Sequence, residues 1–207
     1  MIGNDIIDLR AAATESRIDR KGFLEKLFLP EEIRMIREAA TPAVFTWLLW
    51  SCKEAVYKIV HRNTRERRYT PQRFSCQVEQ DVTSTGCYTG AVLYDQHTYC
   101  YQSFVTDHCI HTYAAENPRL MQHAAVFTKQ AAGENYADFM QEVLSSQELF
   151  YKDDNGIPYI LHREDGRSMP VSVSHHGKYC GIVKLKDFGK YPFNLPDLKI
   201  TADVSLL

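Results

Sequence analysis

The 207-residue chain has no apolar run approaching the roughly 18 consecutive residues that a membrane-crossing helix needs. It also lacks an excess of one charge. Its 24 Lys and Arg stand against 26 Asp and Glu, a net of −2, so the basic footprint of a nucleic-acid binder is missing. The six cysteines (Cys52, Cys76, Cys87, Cys100, Cys109, Cys180) form no C-x-x-C pair and have no histidine at zinc-site spacing. Cys76, Cys87, Cys100 and Cys109 fall in apolar, aromatic stretches and read as small buried hydrophobes. There is no low-complexity segment, and the opening MIGNDIIDLR carries acids where a secretory leader would need an apolar core. These absences point to a soluble, reduced, cytoplasmic protein that neither spans a membrane nor binds nucleic acid.

What is present suits an ordinary globular chain, with 44% apolar and 24% charged residues. Residues 2–8 (IGNDIID) read as a strand, with β-branched residues around two acids. Ile18, Phe23, Leu24 and Leu27 suggest a helix over 17–28, and Pro30 with Glu31 and Glu32 opens another. From Pro42 to His61 the spacing of Val44, Leu48, Cys52, Ala55, Val56 and Ile59 predicts a long helix with one core-facing stripe. Residues 73–116 hold four β-rich runs separated by turn signals at Ser84-Thr85-Gly86 and Asp95-Gln96-His97, an antiparallel meander. Helical material is expected over 119–132 and 135–149, then three short strands in NGIPYILHR, MPVSVSHH and YCGIVKL. An extended tail is expected from Gly189, with Pro192 and Pro196. The fold class is α+β. The chain divides near residue 117 into two similar halves packed as a pseudo-dimer, each with an antiparallel sheet and a long helix.

Three clusters could carry chemistry. Asp5 lies among isoleucines, where a carboxylate is costly unless it holds a cation, sits exposed at the strand end or caps a following helix. Glu54 and Lys58 share a helix face four residues apart, which by spacing alone fits an ordinary surface pair. Ser172-Val173-Ser174-His175-His176-Gly177 could cradle a phosphate or form a polar hairpin turn. His61, His97, His108, His111, His123 and His162 stand singly and read as surface or satisfied polar residues. Arg62, Arg65, Arg67, Arg68 and Arg73, against Glu66 alone, could be a solvated face or a site for phosphate or an acidic partner.

Taken together and in this order, these clusters resemble the 4′-phosphopantetheinyl transferase superfamily. The resemblance rests on Gly3-Asn4-Asp5-Ile6-Ile7-Asp8-Leu9, Phe28-Leu29-Pro30-Glu31-Glu32, Phe45-x4-Trp50-x2-Lys53-Glu54-Ala55-x2-Lys58, Gly156-x-Pro158 and Ser172-Val173-Ser174-His175. It implies transfer of phosphopantetheine from coenzyme A to a serine of an apo acyl or peptidyl carrier protein, with release of adenosine 3′,5′-bisphosphate. It also implies a magnesium ion held by Asp5 and Glu54, a hard cation suited to one or two carboxylates plus water. In this reading Glu54, directly or through a water, takes the serine proton, and Lys58 contacts the pyrophosphate. Lys53 binds phosphate or braces Glu54, Ser174 and His175 lie at the coenzyme's 3′-phosphate, and Gly156 and Pro158 shape the adenine loop. The expected partner is an acidic carrier, with Arg62, Arg65 and Arg68 available to meet it.

The pattern departs from the family in places. Ile7 stands where members of the larger type carry a second acid, leaving Asp8 or water as the third metal ligand. Ile157 replaces the lysine of G-K-P, and Asn4 replaces an apolar residue. In the larger type the S-x-S-H half comes first; here the metal half, 1–117, precedes a coenzyme half, 118–207. The competing architecture is a small-type subunit with an insertion at about 75–150. A monomer is the working expectation. The rival functions are a non-catalytic relative that binds coenzyme A or a carrier, and a magnesium-dependent phosphoesterase.

Overall fold

A computed structural model describes residues 1–82, 86–130 and 136–186. Most of the expected turn at Ser84-Thr85-Gly86 and the expected tail from Gly189 lie outside the described residues. The opening strand β1 (Ile2–Asp8) is buried at all seven positions, Asn4, Asp5 and Asp8 included. It ends where the Asp8 side chain accepts the amides of Arg10 and Ala11 and so starts helix α1 (Leu9–Glu15). The helix expected over 17–28 contracts to α2 (Phe23–Leu27), because Gly22 at φ 79° interrupts any helical path before it. Helix α3 (Pro30–Glu38) follows, its start closed by Glu32 accepting the Leu29 amide. The long helix is α4 (Pro42–Thr64), 23 residues, as its apolar stripe predicts.

The predicted meander is present as β2 (Phe74–Val82), β3 (Cys87–Tyr94), β4 (His97–Val105) and β5 (Cys109–Ala115). With β1 it makes a five-stranded antiparallel sheet in the order β1-β5-β4-β3-β2. Beyond it, the helix expected over 119–132 is corrected. Helix α5 (Pro118–Gln122) gives one turn, and strand β6 (Ala124–Gln130) follows. Val126 and Thr128 suit a strand, and pairing with a partner far along the chain overrides the local alanine-rich signal. The second expected helix also shortens, to α6 (Tyr136–Val143), and a turn then leads into β7 (Glu148–Lys152). Strands β8 (Pro158–His162), β9 (Ser168–His176) and β10 (Tyr179–Leu185) match the three predicted. The second sheet runs β6-β10-β9-β8-β7, again antiparallel throughout.

The two sheets therefore share one topology: in each, an opening strand pairs with the last strand of a four-strand meander. The register agrees as well. Ile2 to Asp8 pair with Ala115 to Cys109, and Ala124 to Gln130 pair with Leu185 to Tyr179. Helix α4 packs on the first sheet through Leu48, Cys52, Val56 and Ile59, and α6 packs on the second through Phe139, Met140 and Val143. Ile2, Tyr113, Ala115, Leu120, Met169, Val183 and Leu185 form a third cluster at the seam between the sheets. This is the α+β pseudo-dimer, with an unequal helix content in its halves. No helix among the described residues is long and apolar enough to cross a membrane.

Candidate active site

Two motifs distant in sequence are forced together by one glycine. A Cβ on Gly3 would collide with the carbonyl of Ala55, so β1 can lie this close to α4 only without a side chain there. Gly3 begins G-x-D and Ala55 ends K-E-A, so this close approach brings Asp5 near Glu54. Ser51, one turn earlier on α4, donates to the Asp5 carbonyl at 3.5 Å.

The Asp5 carboxylate is nearly inaccessible. Its Oδ1 accepts the Ser174 hydroxyl at 3.0 Å and lies 3.7 Å from the Lys58 ammonium. Its Oδ2 is buried with no hydrogen-bond partner. Burial pushes the Asp5 carboxyl above its ordinary range, and the nearby Lys58 pulls the other way. Glu54 is pushed up to about 7, by burial first and by the Asp5 charge second, with Lys58 opposing. Two neighbouring carboxylates held above their ordinary range, one with an orphaned oxygen, suit a divalent cation whose remaining positions are filled by water and phosphate oxygens. Among the described residues there is no cluster of three or more His, Cys, Asp and Glu able to hold a metal, so this pair would need oxygens from water or substrate beside it. Asp8, the other expected candidate for a third ligand, has both its oxygens accepting backbone amides. Oδ1 caps α1 and Oδ2 accepts the Lys178 amide.

Lys58 reaches across the seam. Its ammonium donates to the Asn4 carbonyl at 2.7 Å and to the Val173 carbonyl at 3.5 Å, and its side chain stays 30% exposed. Lys53 behaves oppositely and corrects an expectation. It is wholly buried, donating to Glu32 Oε2 at 2.6 Å, the Leu27 carbonyl at 3.2 Å and the Pro71 carbonyl at 3.1 Å. All three ammonium protons are spent inside the first half, which leaves none for a coenzyme phosphate.

Strand β9 lies against the outer edge of β1. Ser172 Oγ accepts the Asn4 amide at 2.9 Å, Ser174 Oγ the Ile6 amide at 3.1 Å, and His176 Nδ1 the Asp8 amide at 2.9 Å. His175 points to the opposite face of β9 and is exposed. Gly156, at φ 75°, lies in a turn closed by its own amide on the Asp153 carbonyl, and Pro158 opens β8. Ile157, in the place of the family lysine, is buried.

The basic run at the end of α4 holds this turn. Arg62 is buried and donates to the carbonyls of Pro158 at 3.0 Å and Val171 at 2.8 Å. Arg65 pairs with Asp153 and Tyr159, and Arg67 donates to the Asn155 carbonyl at 2.7 Å. Arg62 and Arg65 are therefore fastenings between the halves, not surface for a carrier; Arg68 alone of the three expected contacts is exposed. Sequence reasoning singles out the Ser172–Gly177 segment as a phosphate cradle or hairpin turn and the arginines as a solvated face or phosphate or partner site. It does not foresee that they, with Asn4, frame the site. The two-residue spacing of Ser172, Ser174 and His176 on a strand was the available signal.

A comparison with curated protein sequences gave no match. The family model described as 4′-phosphopantetheinyl transferase superfamily matches residues 1–116, more than half the chain and the whole of the first sheet with its helices. With Gly3, Asp5, Glu54 and Lys58 inside that match, the chain belongs to the 4′-phosphopantetheinyl transferase superfamily.

Proposed function

We propose that this protein moves 4′-phosphopantetheine from coenzyme A to a serine hydroxyl of an acidic apo acyl or peptidyl carrier protein. The reaction depends on magnesium and releases adenosine 3′,5′-bisphosphate. Residues 1–117 act as the metal half and 118–207 as the coenzyme half, in one cytoplasmic chain. The observation that carries this reading is buried Asp5, with its orphaned Oδ2, next to half-buried Glu54 and with Lys58 beside them.

Asp5 Oδ2 and Glu54 would hold the cation, which when bound neutralises charge on the pyrophosphate. Glu54, directly or through a water, takes the serine proton as the hydroxyl oxygen bonds to the phosphorus bearing the pantetheine arm. The anhydride P–O bond breaks and adenosine 3′,5′-bisphosphate leaves with the electron pair. Lys58, partly exposed beside Asp5, stabilises charge on the transferring group. Exposed His175, with Gly156 and Pro158, is the surface offered to the adenosine end of the coenzyme.

Intact-mass spectrometry of an apo acyl carrier protein incubated with this protein, coenzyme A and magnesium tests the reading. A gain of one phosphopantetheinyl group that disappears with chelator is the expected result. Coenzyme A binding without transfer to several apo carriers would instead favour a non-catalytic relative.

A further inference from the structure

The Ser172-Val173-Ser174-His175-His176 segment has a use that depends on alternate residues and not on the adjacent serine and histidine. Strand β1 is an edge strand. Its pairing with β5 uses one row of amides, and Asn4, Ile6 and Asp8 carry amides facing the other way. An unpaired buried amide is costly, and no strand among the described residues closes this edge. Three side chains of β9 at two-residue spacing close it instead, at 2.9, 3.1 and 2.9 Å.

The middle rung does more than cap. A serine hydroxyl has one proton to give. Because Ser174 Oγ accepts the Ile6 amide, its proton goes to Asp5 Oδ1 at 3.0 Å. The relay Ile6 N–H to Ser174 O–H to Asp5 Oδ1 fixes the rotation of the carboxylate and leaves Oδ2 as the oxygen without a partner. A hydroxyl so committed has no proton left for a phosphate.

We infer that Ser174 is a positioning residue for the metal-binding carboxylate of Asp5 and not a contact for the coenzyme's phosphate. This assignment rests on the transferase reading. Its test separates metal from coenzyme binding on the full-length protein, with Mn2+ followed by its spin-resonance signal in the presence of coenzyme A, and coenzyme A followed by calorimetry in chelator. Ser174→Ala should weaken Mn2+ binding about tenfold or more, the usual size for losing an outer partner of a ligand. It should leave coenzyme A affinity in chelator unchanged, while Ser174→Thr, which keeps the hydroxyl, restores most of the Mn2+ affinity. Ser172→Ala removes a rung that does not touch Asp5 and should keep wild-type Mn2+ affinity. Ser174→Cys keeps the volume with only a weak donor and should shift Mn2+ binding in the same direction, which covers an alanine variant that does not fold.

Unchanged Mn2+ affinity in Ser174→Ala overturns the assignment. So does a loss of coenzyme A affinity in chelator, or an equal Mn2+ defect in Ser172→Ala. A wild-type protein that binds neither Mn2+ nor coenzyme A overturns the transferase reading and this assignment with it.

Discussion

Glu54 shows how a single side chain can be costly to the fold and still suit the proposed reaction. Its carboxyl, normally near 4.5, is raised to about 7 by burial and by Asp5. A raised folded-state value means that its favourable contribution is full below about 4.5 and is lost as pH rises through about 7. In chelator, Glu54→Gln should therefore melt higher than wild type at pH 8. The gain should be of order 1–3 kcal/mol and fade as pH falls toward 4.5. Magnesium with coenzyme A should stabilise wild type and not the variant, and transfer should be lost. Melting curves across pH, with and without the cation, check both limbs; a variant no more stable than wild type at pH 8 removes the strain argument. The residues carrying this prediction were legible in the sequence, because G-x-D and K-E-A are spelled out. The fate of Lys53 was not. Its neighbour in sequence is Glu54, but on a helix it turns about 100° away, into a pocket closed by Glu32, Leu27 and Pro71.

At the scale of elements, the site depends on how closely β1 approaches α4. Gly3 sets that distance, and the geometry of Asp5 and Glu54 follows from it. Gly3→Ala puts a methyl into the Ala55 carbonyl and must move the strand from the helix. The expected outcome is a destabilisation of about 1–3 kcal/mol, as for other overpacked cores, together with weaker Mn2+ binding in whatever fraction folds. Chemical denaturation and metal titration of the same sample read the two effects; a variant with normal metal affinity would uncouple the contact from the site. Helix α4 and the β2–β5 meander were readable because their periodicity is local and strong. Strands β6 and β7 were not: β6 is decided by the distant β10, and β7 by a hairpin with β8 whose turn is held by Arg65 and Arg67 from the other half. No local pattern in AAVFTKQ states that Leu185 will lie opposite Ala124.

For the whole molecule, the shared register of the two sheets explains why one chain builds one such site. Matching the opening strands position by position sets Asp5 against Phe127, so the second half has no carboxylate where the first has Asp5. The same matching sets His111 against Gly181, and these two residues meet at the seam. A Cβ on Gly181 would come within 2.6 Å of His111 Nε2. That nitrogen accepts the Asn4 amide group at 3.0 Å, so Nδ1 carries the proton and donates to Thr128 at 2.7 Å, tying β1, β5 and β6 together. Burial first and Lys58 second lower His111 to about 4, so the folded protein holds it neutral. Its contribution is present above about 6.5 and is lost as pH falls through about 4. Stability should therefore decline by about 3 kcal/mol across that interval from this group alone, against the opposite slope of Glu54. His111→Gln cannot charge and should flatten the acid limb between pH 6.5 and 4 while leaving the slope around pH 7 in place. Denaturant titrations at a series of pH values distinguish the two groups. A variant that loses stability on acidification as steeply as wild type would show that the seam is closed by something other than a neutral His111.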